Sequence, residues 1–217
     1  MRAAFYIDGF NLYHPINDLQ QPHLKWLNLW DLAALLIPKQ SETLVKVLYG
    51  TAIVTSDYDK ITRHQQYLKA LEQVGVTCIT GAKAFEPASC RGCGRTWSEP
   101  KEKETDINIA LSLFDDAYQD IYDHAYLVSS DSDQAATARM FKSRFPTKKF
   151  TTVSPPKREP SKAILAHTQN KIRLTEHHLE RCLFGAAVGL GTPNAVRRPS
   201  TYDPPSGWVP PSLRPVT

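Results

Sequence analysis

The sequence predicts an α/β protein: a central, mainly parallel sheet with helices on both faces. Two observations carry this prediction. Segments of strand length, rich in β-branched and aromatic residues, alternate with segments of helical spacing, the pattern of βαβ units. Such alternation implies a parallel sheet covered by helices on both faces. Two of the three best strands stop abruptly at aspartate, and such sheets bind ligands beyond the carboxyl ends of their strands.

The elements follow in order. "AAFYID" (3–8) is the first strand. Trp30, Ala33, Ala34 and Ile37 make one face of a short helix, and "TLVKVLYGTAIV" (43–54) is the second long strand. Ile61, Gln65, Leu68, Leu71 and Val74 share a face of a helix at about 58–74 that Gly75 ends. "VTCITG" (76–81) is a shorter strand, and Ile107, Ala110, Leu111, Phe114 and Ala117 mark a helix at about 104–121. "HAYLVSS" (124–130) is the third strong strand. A helix from Gln134 to about Arg144 stops before Pro146, and "KKFTTVS" (148–154) is another short strand. Beyond Pro155 and Pro156, residues 161–182 read as weakly helical. Residues 183–217 hold seven prolines and four glycines, which leaves little to build a core, and read as an extended or disordered tail. The organisation is thus a domain over 1–182, with a cysteine-containing insertion at 82–103, and a tail over 183–217.

Composition bounds the function. The 217 residues are 41% hydrophobic and 22% charged, as in an ordinary globular domain. No apolar run approaches the roughly 20 residues of a membrane span, and Asp8 interrupts the opening "MRAAFYIDGF" too early for a secretory signal. The expected address is therefore the cytoplasm, without a membrane partner. Four cysteines at uneven spacing do not make a disulfide scaffold. Residues 1–154 carry 17 basic against 18 acidic side chains, and residues 155–217 carry 9 against 4. The excess positive charge therefore lies behind the body, which suits a phosphate-bearing partner or simply a solvated surface.

The chemistry concentrates at the strand ends. "YIDGFN" delivers Asp8 and Asn11; "SSDSD" delivers Ser129, Ser130, Asp131 and Asp133 to the same edge. Asp106, in the first turn of its helix, shares a face with Ile109, Ala110 and Leu113 and so points inward. Singly, each aspartate also fits a turn or a helix cap. Together they repel, and a hard cation, Mg²⁺ or Mn²⁺, offsets that repulsion with carboxylate and water oxygens. Such a pocket suits phosphate-ester chemistry. There is no Gly-rich phosphate loop of the Walker type.

The strand with "DGFN", the helix "EKETDINIALSLFDDAY" and "AYLVSSDSD" together resemble the NYN-domain family, in its LabA-like branch, over about residues 1–170. "FPTKKFTTVSPPKREPSKAILAHT" resembles it too. The resemblance implies a three-layer α/β/α fold, PIN-like and Rossmann-like, related to flap-nuclease cores. It implies metal-site roles for Asp8, Asp106, Asp131 and Asp133, with Asn11 and Ser130 orienting water or a phosphate oxygen. It also implies a metal-dependent endoribonuclease, with RNA as substrate and DNA as the alternative, leaving a 5′-phosphate and a 3′-hydroxyl. One departure stands out: relatives often carry a second aspartate six residues after the helical one, and here that position is Ser112.

"CRGCG" places Cys90 and Cys93 as half of a zinc knuckle, to be completed by Cys78, Cys182, His64 or a second subunit; a pair of reduced thiols is the alternative. Lys103, Arg139, Lys157 and Arg158 are candidates for phosphate contact, alongside Lys101, Lys142, Arg144, Lys148 and Lys149. Trp97 and Tyr13 are candidates for base stacking. Two rival functions fit the same residues. One is a catalytically weak RNA-binding scaffold that docks a partner protein through the tail, and the other is a small-molecule phosphohydrolase. A homodimer is the remaining partner expectation.

Overall fold

In the computed structural model, which describes residues 1–53, 57–168 and 170–214, the first strand is β1 (Arg2–Asp8). Its side chains alternate between two cores. Ala3, Phe5 and Ile7 enter one apolar cluster, and Ala4 and Tyr6 enter the other. A strand covered on both faces needs apolar residues at successive positions, and β1 supplies them up to Asp8.

The chain continues through α1 (Gly9–Asp18), α2 (Leu29–Leu36), β2 (Thr43–Thr51), α3 (Tyr58–Gln73) and β3 (Thr77–Thr80). An antiparallel hairpin, β4 (Ala82–Ser89) and β5 (Thr96–Lys103), stands apart from the main sheet. Then come α4 (Thr105–Tyr118), β6 (His124–Val128), α5 (Ala135–Arg144), β7 (Lys149–Ser154), α6 (Lys162–Leu165), β8 (Asn170–Arg173) and α7 (Glu176–Glu180). A short ribbon, β9 (Ala187–Val188) with β10 (Val196–Arg197), follows.

Six strands form one parallel sheet in the order β3-β2-β1-β6-β7-β8. On one face, Leu12 and Ile16 of α1 and Leu32 of α2 complete the first cluster. On the other, Ile109 and Leu113 of α4 and Phe141 of α5 complete the second. β1 and β6 are neighbours, yet the helices that follow them leave toward opposite faces. That divergence opens a crevice at their carboxyl ends, where an α/β sheet of this kind presents its ligand site. The predicted three-layer architecture is the one observed.

Local chemistry sets the helix starts. Asn28 accepts the N–H groups of Trp30 and Asp31 to begin α2, Asp57 accepts that of Lys60 to begin α3, and Gly75 at φ +88° ends the turn after α3. Gly9 lets α1 start hard against β2, since a Cβ there would lie 2.5 Å from the Gly50 carbonyl.

Two expectations need correction. Among its described residues, the weakly helical stretch 161–182 contains only the short α6 and α7, with the edge strand β8 between them. β8 has one apolar residue, Ile172, and leaves little periodic signal. Residues 183–214 are not a detached tail. Phe184, Val188 and Val196 are buried in the first cluster, the Trp26 indole N–H donates to the Gly185 carbonyl at 2.9 Å, and Arg214 pairs with Glu180 at 2.7 Å. Prolines bar regular hydrogen bonding, but they do not prevent widely spaced apolar side chains from packing. Of the second strand's expected span, Val54 lies outside the described residues, as do 215–217 of the tail. Among the described residues no helix is long and apolar enough to cross a membrane.

Candidate carboxylate site

A cleft of about 390 Å³ occupies the crevice at the carboxyl ends of β1 and β6. Its polar lining is Asp8, Asn11, His14, Glu102, Thr105, Asp106, Ser130, Asp131 and Arg158. Asp8 ends β1 and caps α1, its Oδ1 accepting the Asn11 N–H at 2.9 Å. Its Oδ2 accepts the Ser129 hydroxyl at 3.2 Å. Ser129 Oγ in turn accepts the Asp131 N–H at 3.1 Å, and Asn11 Oδ1 accepts the Ser130 N–H at 2.8 Å. The "DGFN" and "SSDSD" segments are therefore stitched together through Asp8 and Asn11. On α4, Asp106 Oδ1 accepts an amide hydrogen from Gln134 at 3.1 Å. Gln134 is itself fixed by the Thr137 hydroxyl at 2.9 Å.

Electrostatics distinguish this cleft from the rest of the interior. Burial pushes the Asp8 carboxyl up to about 6. The Asn11 N–H and the Ser129 hydroxyl oppose that rise, while the charges of Asp106 and Asp131 add to it. Asp106 is raised by burial first, and then by Asp131, Glu102 and Asp133, against the pull of Gln134. No cation is among the leading influences on either group. Arg158 lines the cleft, but its guanidinium is held by Asp18 at 2.9 Å.

The sequence-predicted residues divide cleanly. Asp8, Asn11, Asp106, Ser130, Asp131 and Arg158 line the cleft. Asp133 does not: it lies exposed in a short 3₁₀ turn (Ser132–Gln134), and it is its backbone N–H that bonds Asp131 Oδ1, at 3.0 Å. The turn that caps on Asp131 rotates the next carboxylate outward. Lys103 is tied to Glu86 on the hairpin at 2.6 Å, and Lys157 to Glu176 at 3.3 Å. Arg139 lies exposed on α5. Tyr13 and Trp97 are both exposed, Tyr13 with Lys25 5.1 Å above its ring.

Glu102 went unread in the sequence. It sits at the end of β5, faces the cleft and accepts the Thr105 N–H at 2.7 Å, which starts α4. Glu104, the residue just before α4, has φ +77° and makes no cap with its own side chain. The only signal was proximity, four residues before Asp106 in "EKETD".

A divalent cation fits this donor set in chemistry: hard carboxylate oxygens, with Asp8 and Asp106 raised by burial and then by neighbouring carboxylate charge, and the lining arginine held by Asp18. The Ser130 hydroxyl, lining the same cleft, is buried without a hydrogen-bond partner. A group so placed calls for a water or a ligand oxygen. Among the described residues no three of His, Cys, Asp and Glu already converge on one point.

Comparison with known proteins agrees with this geometry. Residues 2–167 match the family described as NYN domain. The chain is 24% identical to 6-hydroxy-3-succinoylpyridine 3-monooxygenase of Pseudomonas putida over 178 aligned residues. That match covers 65% of this chain and 56% of the relative, so the chain spans little more than half of that protein's length. A crystal structure of a protein of unknown function from Vibrio parahaemolyticus superposes with a TM-score of 0.52 at 18% identity. It covers 81% of this chain and 93% of its own, a likeness of fold alone.

Proposed function

Because the chain belongs to the NYN domain family, a PIN-like and nuclease-related family, we propose that it is a metal-dependent nuclease that hydrolyses RNA phosphodiesters at the carboxyl edge of its sheet. One observation carries the proposal: Asp8 from β1, Asp106 from α4 and Asp131 from the loop after β6 line one cleft whose one arginine, Arg158, is held by Asp18 instead.

Asp8, Asp106 and Asp131 would hold Mg²⁺ or Mn²⁺, with Glu102 beside them. When bound, the cation supplies a more acidic water and neutralises charge on the phosphoryl group. The chain's own residues do the rest. Asn11 keeps the 129–131 loop against α1, so the carboxylates from β1 and β6 stay in register. The partnerless Ser130 hydroxyl donates to a phosphoryl oxygen, and Gln134 holds Asp106 turned toward the cleft. Arg158 at the rim is placed to exchange Asp18 for a phosphate.

The test is incubation of the purified chain with labelled single-stranded and structured RNAs and DNAs, in Mg²⁺, in Mn²⁺ and in chelator. Internal cleavage that needs metal and leaves 5′-phosphates supports the reading. No cleavage of any polymer in either metal rejects it.

The Pseudomonas relative motivates a second reading, in which the cleft takes a small hydroxylated pyridine and inserts one oxygen atom. Such a reaction consumes O₂ and a two-electron reductant. Turnover of 6-hydroxy-3-succinoylpyridine with O₂ and a reduced nicotinamide, by a chain that leaves nucleic acid intact, would favour it.

A further inference from the structure

The hairpin β4–β5 turns at its far end through Cys90, Arg91, Gly92, Cys93 and Gly94. Cys90 and Arg95 close the turn, the N–H of Cys90 donating to the Arg95 carbonyl at 2.8 Å. The N–H of Gly94 donates back to the Cys90 carbonyl at 2.9 Å. Gly94 has φ +72°, so the residue after the second cysteine adopts the left-handed conformation that glycine tolerates best. The Cys90 sulfur sits over the turn, where a Cβ added to Gly92 would meet it at 3.9 Å. A Cys-x-x-Cys pair held in a tight, glycine-containing turn supplies half of a tetrahedral thiolate site.

Among the described residues, the chain does not supply the other half. Cys78 and Cys182 are held against the core, where burial pushes both thiols up to about 12. His64 is engaged with the Thr51 hydroxyl at 3.2 Å, and among the described residues no third ligand joins the pair. We propose that the knuckles of two copies of this chain meet and bind one zinc ion through Cys90 and Cys93 of each. A site with two identical ligands per chain is closed by a two-fold axis. Four thiols lose four protons, and the resulting Zn²⁺ tetrathiolate carries a charge of −2.

The surroundings suit that centre. Arg91 and Arg95 flank the cysteines on each tip, so two bare tips repel, whereas four guanidinium groups around a dianionic centre attract it. Trp97, cross-strand from Ala88 and next to the turn, leaves 46% of its surface exposed and offers each tip an apolar contact. The pairing would also fix β5, whose other end carries Glu102 into the carboxylate cleft. The proposal stands independently of the nuclease reading.

The test uses the full chain, purified without added metal or metal-affinity steps, by elemental analysis together with light scattering on a sizing column. The expected result is half an equivalent of zinc per chain and a dimer. Chelation should give a monomer with two more reactive thiols per chain, and added zinc should restore the dimer. Cys93→Ser should bind no zinc and stay monomeric with unchanged circular dichroism. Asp8→Asn should keep its half equivalent, which places the ion away from the cleft. Zinc-free protein, one zinc per monomer, a dimer that survives chelation, or a Cys90–Cys93 disulfide in freshly purified protein would each overturn the proposal.

Discussion

At the amino edge of the sheet, Glu42 is 7% exposed, and its two oxygens are each taken. The His124 ring approaches Oε1 at 2.9 Å and the Tyr126 hydroxyl donates to Oε2 at 2.7 Å, while the other nitrogen of His124 meets the Thr151 hydroxyl at 2.8 Å. At the carboxyl edge, Asp8 is just as buried, at 5%, and its oxygens are also taken, by the Asn11 N–H and the Ser129 hydroxyl, yet its charged neighbours are more carboxylates. Asp116, the third buried carboxylate among the described residues, resembles Glu42: Lys46 pairs with it at 2.7 Å and the Tyr6 hydroxyl donates to it at 2.6 Å. The fold thus satisfies a buried acid fully where it serves the core. Leaving Asp8 charged against Asp106 and Asp131 costs stability, and a binding function is the reason to keep such a cost.

The comparison breaks most visibly in activity. Asp8→Asn removes one charged donor from the cleft while keeping its shape and its bond to the Asn11 N–H. Metal-dependent RNA cleavage should fall by at least about 100-fold, the scale of losing groups that hold or orient a metal, with folding retained. If the Asp8→Asn protein cuts at the wild-type rate, the carboxyl edge is another structural network. At the amino edge the sign reverses. Glu42→Ala strands His124 and Tyr126 in the core and should cost about 3–4 kcal/mol in denaturant unfolding, with cleavage per folded molecule unchanged.

Acidity sharpens the contrast further. With metal removed by chelator, the native Asp8 carboxyl titrates near 6, whereas in the unfolded chain it titrates at its ordinary value of 3.8. Between those values the folded protein binds the proton that the unfolded chain has released. Stability contributed by Asp8 is therefore highest at low pH and falls as pH rises through that window. The full difference is no more than about 3 kcal/mol. Asp8→Asn should then be more stable than wild type at pH 7, and the gap should close below about pH 4. A gap that persists or grows in acid would contradict the assignment of strain to this carboxylate.

The parallel, two-faced sheet and the position of the cleft were legible because β1 and β6 are apolar at successive positions and stop at polar residues. Asp106 was legible because its spacing from Ile109 and Leu113 fixed its face. The amino-edge network was not. Glu42 precedes its strand, and His124 and Tyr126 lie within an apolar run, so nothing local shows that three strands bring them together. Glu102 was hidden for a related reason: it approaches the cleft from a hairpin whose own pattern, with Glu86 opposite Glu99, does not read as a strand pair. The order of residues 183–214 was hidden by proline, because three apolar anchors in so long a stretch carry no periodicity.

The smallest expected effect tests whether position in a motif or position in space decides. In "SSDSD" Asp131 and Asp133 are equivalent by eye, and the family resemblance implies a metal role for both. In space they differ: Asp131 lines the cleft, while Asp133 is exposed and lends its backbone N–H to Asp131. Asp133→Asn keeps that N–H, removes only a solvated charge, and should change stability by less than about 0.5 kcal/mol. Cleavage should stay within about two-fold of wild type in Mg²⁺ and in Mn²⁺. A loss comparable to that of Asp8→Asn would show that the turn at 132–134 rearranges when metal binds and swings Asp133 inward. The carboxyl edge would then be assembled by its ligand, whereas the amino edge is assembled by folding alone.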